Sequence, residues 1–404
     1  MTRKGNRGSH GFSRRAFLAT AAASLVAGAT APAAGAAHPA SDEGSTRDDS
    51  ARRWRNAIIV NALGGLANPN PSEEETESGL RPGPRLLDER ALREAHESGL
   101  TAVNITLGYV AGNMDPFEHT IRSIAEWEAR IRLQSAHLLK VYTADDIVRA
   151  KREGRIGVIY GFQNAAMVGE QVDRIDLFGN LGVRVIQLTY NTANQIGDGA
   201  MAPENRGLTP LGREVVERLN AYRIMVDLSH SGTRTCLEAA SISKQPVSIN
   251  HTGCRALVDL PRNKSDEELR LVASRGGFIG IYFMPFLNAS GHARADDVVA
   301  HIEHAVNVCG EDHVGIGTDG PVTAIDDLES YKIRLAQEVE MRRAAGIGAT
   351  GERADTFPFV VDLRGVNQFY ELAERLERRG HSTERIEKIL GRNFLRYAEE
   401  VWGA

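Results

Sequence analysis

The chain is poor in the features that would mark several large protein classes. It has only three cysteines in 404 residues, so it is not a disulfide-stapled scaffold. Cys236, Cys254 and Cys309 leave at least one thiol unpaired in an oxidising compartment, and a Cys236–Cys254 bridge stays open. Cys254 stands close to a candidate site, where a buried, inert thiol is the expectation. Aromatic residues make up 6% and the net charge is −5, with no aromatic-interleaved Lys/Arg run. That excludes the electrostatic footprint of a nucleic-acid binder. Strongly apolar runs of about 20 residues are absent, so no stable membrane span is expected. Gly315-Ile316-Gly317 is too short and wrongly placed for a dinucleotide fingerprint.

What is present begins with an address. Ser13-Arg14-Arg15-Ala16-Phe17-Leu18 is a twin-arginine pattern, preceded by Arg3, Lys4 and Arg7 and followed by an Ala-rich, weakly hydrophobic run from Ala16 to Ala31. Small residues offer an Ala-x-Ala cut near Ala34–Ala36. Residues 1–36 thus read as a signal for the twin-arginine export machinery, implying a periplasmic or extracellular protein. Residues 37–52 read as a disordered lead-in, and 53–404 as the folded domain.

Within that domain, apolar and β-branched runs alternate with segments of helical period. The strand expectations are Ala57–Asn61, Ala102–Leu107, Gly157–Tyr160, Arg184–Tyr190, Ile224–Leu228, Pro246–Ile249, Phe278–Tyr282 and Val314–Gly317. Helices are expected at Leu86–Glu97, Phe117–Leu138, Ala144–Arg152, Thr209–Ala221, Thr233–Ser243, Ser265–Ser274 and Ala295–Val308. Eight β/α units without a second compositional block predict an α/β fold, a single (β/α)8 TIM-like barrel. Glu73–Glu77 reads as an acidic surface loop, Arg342–Thr356 as a long connection after the last strand that could cover the mouth, and Asp362–Ala398 as a closing helical segment.

In such a barrel, side chains just past the carboxyl ends of the strands share one face. Two successive strands end in histidine, His230 and His251, and the last ends in Gly317-Thr318-Asp319. Two imidazoles and a carboxylate suit zinc with an open position for water. Asp319 could instead take the attacking water's proton. Arg255 could grip a substrate carboxylate in a two-point contact. His301, His304 and His313 fall on the outer helices or the opposite face and read as structural.

From Leu87 to Arg396 the chain resembles the membrane (renal) dipeptidases, zinc peptidases of the amidohydrolase barrel type. The resemblance is carried by Gly207-Leu208-Thr209-Pro210-Leu211-Gly212-Arg213-Glu214, Val226-Asp227-Leu228-Ser229-His230, Asn250-His251-Thr252, Arg255-Ala256-Leu257, His313-Val314-Gly315-Ile316-Gly317-Thr318-Asp319 and Gly391-Arg392-Asn393-Phe394-Leu395-Arg396. It implies dipeptide cleavage (some relatives also open β-lactams or cleave Cys-Gly units), a homodimer, and two zinc ions. The ligands would be a His-x-Asp after the first strand, a bridging Glu after the third, two His after the fifth and sixth, and an Asp after the eighth.

The chain departs from that pattern at the metal. The His-x-Asp falls on Leu63 and Gly65, the bridging Glu on Gln163, and a substrate-polarising His on Tyr190. His230, His251, Arg255 and Asp319 match. Two dications about 3.5 Å apart repel by about 19 kcal/mol at an effective dielectric near 20, and a neutral Gln163 cannot offset that. At most one zinc is expected, on His230 and His251 with Asp319 or the Gln163 carbonyl oxygen. The expected function is an exported dipeptidase-like hydrolase in which Asp319 is the base, Tyr190 an oxyanion donor, and Arg255 and Gln163 contact a small peptide-like substrate. Two alternatives stand beside it: a non-hydrolytic protein that binds or matures a peptide-derived molecule, and a different reaction in the same pocket.

Overall fold

A computed structural model describes residues 53–70, 87–344 and 346–403. The twin-arginine segment, the lead-in and the Glu73–Glu77 loop lie outside the described residues. The eight expected strands all form, at β1 (Val60–Gly64), β2 (Ala102–Thr106), β4 (Ile156–Phe162), β5 (Val183–Gln187), β6 (Met225–Asp227), β7 (Ser248–Thr252), β8 (Phe278–Ile281) and β9 (Val314–Ile316). They pair in parallel in that order. A ninth strand, β3 (Leu138–Lys140), pairs the N-terminal end of β4, on the edge that β5 takes over further along. Three residues are too few to show a period, which is why this strand escapes the sequence reading.

Side-chain chemistry joins the last strand to the first. Asn61 exchanges two hydrogen bonds with Thr318, Nδ2 to Oγ1 and backbone N–H to Oδ1, both at 2.8 Å. The Asp319 N–H donates to the Leu63 carbonyl at 2.9 Å, and Gly65 bridges to Pro321. The barrel interior is narrow here. A Cβ on either Gly280 or Gly317 would overlap the Asn250 carbonyl oxygen, so only glycine fits.

Outside the sheet stand α1 (Glu89–Glu97), α2 (Pro116–Leu133), α3 (Ala144–Glu153), α4 (Arg174–Asn180), α5 (Pro210–Ala221), α6 (Thr233–Ile242), α7 (Asp266–Ser274) and α8 (Ala295–Cys309). Local signals set their ends. Thr209 caps α5 by accepting from the Gly212 N–H, with Pro210 in the first turn. Ser265 and Glu268 form a capping box on α7, and Gly154 closes α3 at φ 65°. Helix α2 stops at Leu133, short of the expected Leu138, because Leu138 enters β3.

The bottom of the barrel is plugged. Val60, Ala102, Val185 and Met225 share one buried cluster with Phe394 and Tyr397 of α12 (Asn393–Trp402). Burial of each of the larger apolar side chains among these contributes about 1.5–3 kcal/mol. The closing helical segment is thereby confirmed as α10 (Gln368–Arg378), α11 (Thr383–Glu387) and α12. The connection expected at Arg342–Thr356 is entered by a helix, α9 (Leu328–Ala344), whose end carries Arg342 to the open face of the barrel. Among the described residues no helix is long and apolar enough to cross a membrane.

Candidate active site

The site is built on the buried carboxylate of Asp227 at the end of β6. It accepts from the backbone N–H of Ser229 (2.9 Å) and of Asn250 (3.1 Å), and from the Ser229 hydroxyl. Ser229 Oγ in turn accepts from the His251 N–H at 3.1 Å. One acid thus locks the ends of β6 and β7 together and sets both histidines. Their ring centroids stand 4.9 Å apart.

Each imidazole has a defined partner. His230 donates through Nδ1 to Asn191 Oδ1 at 2.6 Å, which leaves Nε2 as the acceptor. That Nε2 receives a hydrogen bond from Arg262 Nη2 at 3.0 Å, while Arg262 Nη1 donates to the Ser229 carbonyl. Tyr190 stacks on His230 with centroids 4.3 Å apart and planes 23° off parallel, and Arg342 Nη2 lies 3.3 Å from its hydroxyl. His251 Nε2 faces Gln163 Nε2 at 3.4 Å, and His251 Nδ1 is buried without a partner among the described residues. Burial, then the nearby Arg262 charge, holds both imidazoles well below the ordinary pKa of 6.5.

Asp319 sits just past β9 with φ of 60°, a left-handed conformation that Asp tolerates better than most residues. Burial raises its pKa to about 6, against the pull of Arg262 and Arg342. The carboxyl is therefore poised to exchange protons near neutrality.

Tyr190, His230, His251 and Gln163 lie side by side, and Asp319 is tied to them through Arg262. Arg255 does not join them. Its guanidinium reaches the carbonyls of Asn263 and Pro261 and the Thr233 hydroxyl, holding the loop after β7. The arginine inside the site is Arg262, 2% exposed, with no carboxylate ion pair among the described residues. The sequence signal is a second arginine in the same loop, in Pro261-Arg262-Asn263, further from His251 than Arg255. Gln163 Oε1 takes a hydrogen bond from Thr106 Oγ1 at 3.0 Å, and its amide nitrogen faces His251. His301, His304 and His313 are structural. His301 accepts from the Cys254 N–H at 2.8 Å, and the other two contact Asp266 and the Gly277 carbonyl. All three cysteines are free thiols, and burial raises the Cys254 pKa.

A parallel barrel with histidines and an acid at the carboxyl ends of its strands defines the class of TIM-barrel metallohydrolases. The profile of "Membrane dipeptidase (Peptidase family M19)" matches residues 88–345, and the chain belongs to that family. An amidohydrolase of Pseudomonas aeruginosa shares 31% identity at a TM-score of 0.73, covering 88% of this chain and 99% of its own. The dipeptidase tcpJ of Claviceps purpurea is 29% identical over 286 residues, which is 70% of this chain and 60% of the relative. This chain thus spans under two thirds of that relative's length, and about half that of a Schizosaccharomyces pombe dipeptidase, at 51%. A Rhodobacter sphaeroides metallopeptidase, solved with a phosphinate mimic of L-Ala-D-Ala, shares the fold at a TM-score of 0.67 and 19% identity.

The family is metal-dependent in general, and the described side chains gather no metal-binding group of three here. Leu63 and Gly65 have no donor side chain, Gln163 is neutral, and no three of the described His, Cys, Asp and Glu side chains converge at ligand distance. The acceptor nitrogen of His230 is covered by Arg262, and His251 Nε2 faces the Gln163 amide nitrogen.

Proposed function

We propose that this chain is an exported hydrolase for dipeptides or similarly small amides with a free carboxylate, its metal complement reduced to at most one ion at His230 and His251. The twin-arginine pattern at Ser13–Leu18 supports export. One observation carries the substrate reading. Arg262 is a buried guanidinium with no carboxylate ion pair among the described residues, set on His230 and within electrostatic reach of Asp319. A buried charge wants a partner, and a substrate carboxylate supplies one with two-point geometry.

With the carboxylate held there, Asp319 takes a proton from water as the water oxygen bonds to the amide carbon. Tyr190, oriented by Arg342 and by its stack on His230, donates to the developing oxyanion. The C–N bond then breaks, and the Asp319 proton passes to the leaving amine.

Metal analysis of purified protein together with amine release from dipeptides tests this. We expect turnover, no more than one zinc per chain, and loss of both in His230→Ala. Two ions per chain would refute the reduced site. A cooperative thermal transition with no turnover of any dipeptide would refute the hydrolase. It would favour a second reading, a ligand-binding relative, which the covered histidine nitrogens support.

A further inference from the structure

The chain that follows α9 forms a strap over the open face of the barrel. Local bonds set its path. The Gly346 and Ile347 N–H groups donate to the Arg343 and Arg342 carbonyls, both at 3.0 Å, with Gly346 at φ 68°. Glu352 accepts from the Ala349 N–H at 3.0 Å and pairs with Arg342 at 2.6 Å. The strap meets the loops after β5, β7 and β8: Thr350 donates to Met201 Sδ at 3.4 Å, and Gly351 lies beside Leu260 and Phe286.

One tether runs from the strap into the site. The Ile347 carbonyl accepts from Asn191 Nδ2 at 2.9 Å, and Asn191 Oδ1 accepts from His230 Nδ1 at 2.6 Å. Asn191 is fully buried. Since Arg262 Nη2 donates to His230 Nε2 at 3.0 Å, four groups make one hydrogen-bonded chain, from Arg262 through His230 and Asn191 to Ile347.

That chain has one allowed direction. A guanidinium only donates and a backbone carbonyl only accepts. The Ile347 carbonyl therefore takes the NH2 end of the Asn191 amide, and the amide oxygen faces the imidazole. Burial holds the His230 pKa well below 6.5, so the ring carries a single proton near neutrality. That proton sits on Nδ1, and Nε2 keeps its lone pair towards the pocket. Arg262 enforces the same arrangement from the other end, but the reading above assigns Arg262 to a substrate carboxylate. Once its N–H groups turn to that carboxylate, only Asn191 fixes the ring.

We propose that Asn191 is a positioning residue that couples docking of the strap to the tautomer of His230. Its part in turnover rests on the hydrolase reading above; the coupling itself does not.

Two measurements on the full chain test this. Imidazole-nitrogen NMR reports which ring nitrogen of His230 is protonated, and amide hydrogen exchange reports the strap at residues 346–352. Arg262→Met removes the donor end of the chain, yet His230 should keep its proton on Nδ1 and the strap its protection. Adding Asn191→Leu, of nearly the same size, should populate both tautomers and speed exchange in the strap about tenfold. Both tautomers already present in Arg262→Met, a single tautomer in the double variant, or unchanged strap exchange would overturn the proposal. If the double variant fails to fold, Asn191→Leu alone decides: faster strap exchange supports the coupling and unchanged exchange refutes it. Neither measurement needs turnover, so a protein that cleaves no dipeptide refutes the hydrolase and not this coupling.

Discussion

Arg262 and His230 meet across 3.0 Å, guanidinium to imidazole, with Arg262 Nη2 on the ring's Nε2. A cation there disfavours a second cation, and burial, then that charge, holds the His230 pKa well below 6.5. The pocket is thereby suited to anions: Arg262 and Arg342 both act on Asp319, itself raised to about 6 by burial.

If Arg262 receives the substrate carboxylate, Arg262→Ala should raise KM for dipeptides about 100-fold, the size expected for losing a buried, charge-assisted pair. Dipeptide amides, which lack the carboxylate, should lose little. Arg255→Ala should leave KM within about twofold, at a stability cost of about 1 kcal/mol from its loop contacts. Steady-state kinetics on both substrates decides the matter, and equal effects of the two substitutions would contradict the assignment.

Tyr190→Phe keeps the ring stacked on His230 and deletes only the hydroxyl near Arg342. A lost oxyanion donor lowers kcat by about 100-fold. Unchanged KM and an unchanged thermal midpoint should accompany that loss. An unaltered kcat would remove Tyr190 from the chemistry.

Acid should destabilise the fold by a route with a definite sign. Burial holds His230, His251 and His301 below the ordinary imidazole value, His301 at about 4. Unfolding lets each take a proton near pH 6.5, so their contribution is present above that pH and is lost as the pH falls through it. Asp319 and Asp227, both raised by burial, run the other way, Asp319 gaining stability between about 6 and 3.8 on acidification, and two carboxyls only partly offset three imidazoles. The His301 share is about 2–3 kcal/mol at pH 4.5. Unfolding midpoints for wild type and His301→Gln from pH 7.5 to 4.5 should therefore show a shallower slope in the variant. Parallel slopes would rule this out.

The barrel was readable because its signals are local and repeated. Apolar strand runs, helical periods and capping residues such as Thr209 and Ser265 act within a few positions of themselves. The strand ends bearing His230, His251, Tyr190 and Asp319 followed from the same pattern, since in a parallel barrel position along a strand dictates the face.

Which arginine enters the pocket was not readable. Arg255 and Arg262 share one loop, and only the packed path of that loop decides that the first holds its backbone and the second turns inward to His230. Helix α9 delivers Arg342 to Tyr190 across 152 positions of sequence, and Asn61 pairs with Thr318 across 257. Chain order alone therefore determined the barrel and its open face. Tertiary packing decided the charge of the pocket, because side chains so far apart in sequence meet only when the ring of strands closes.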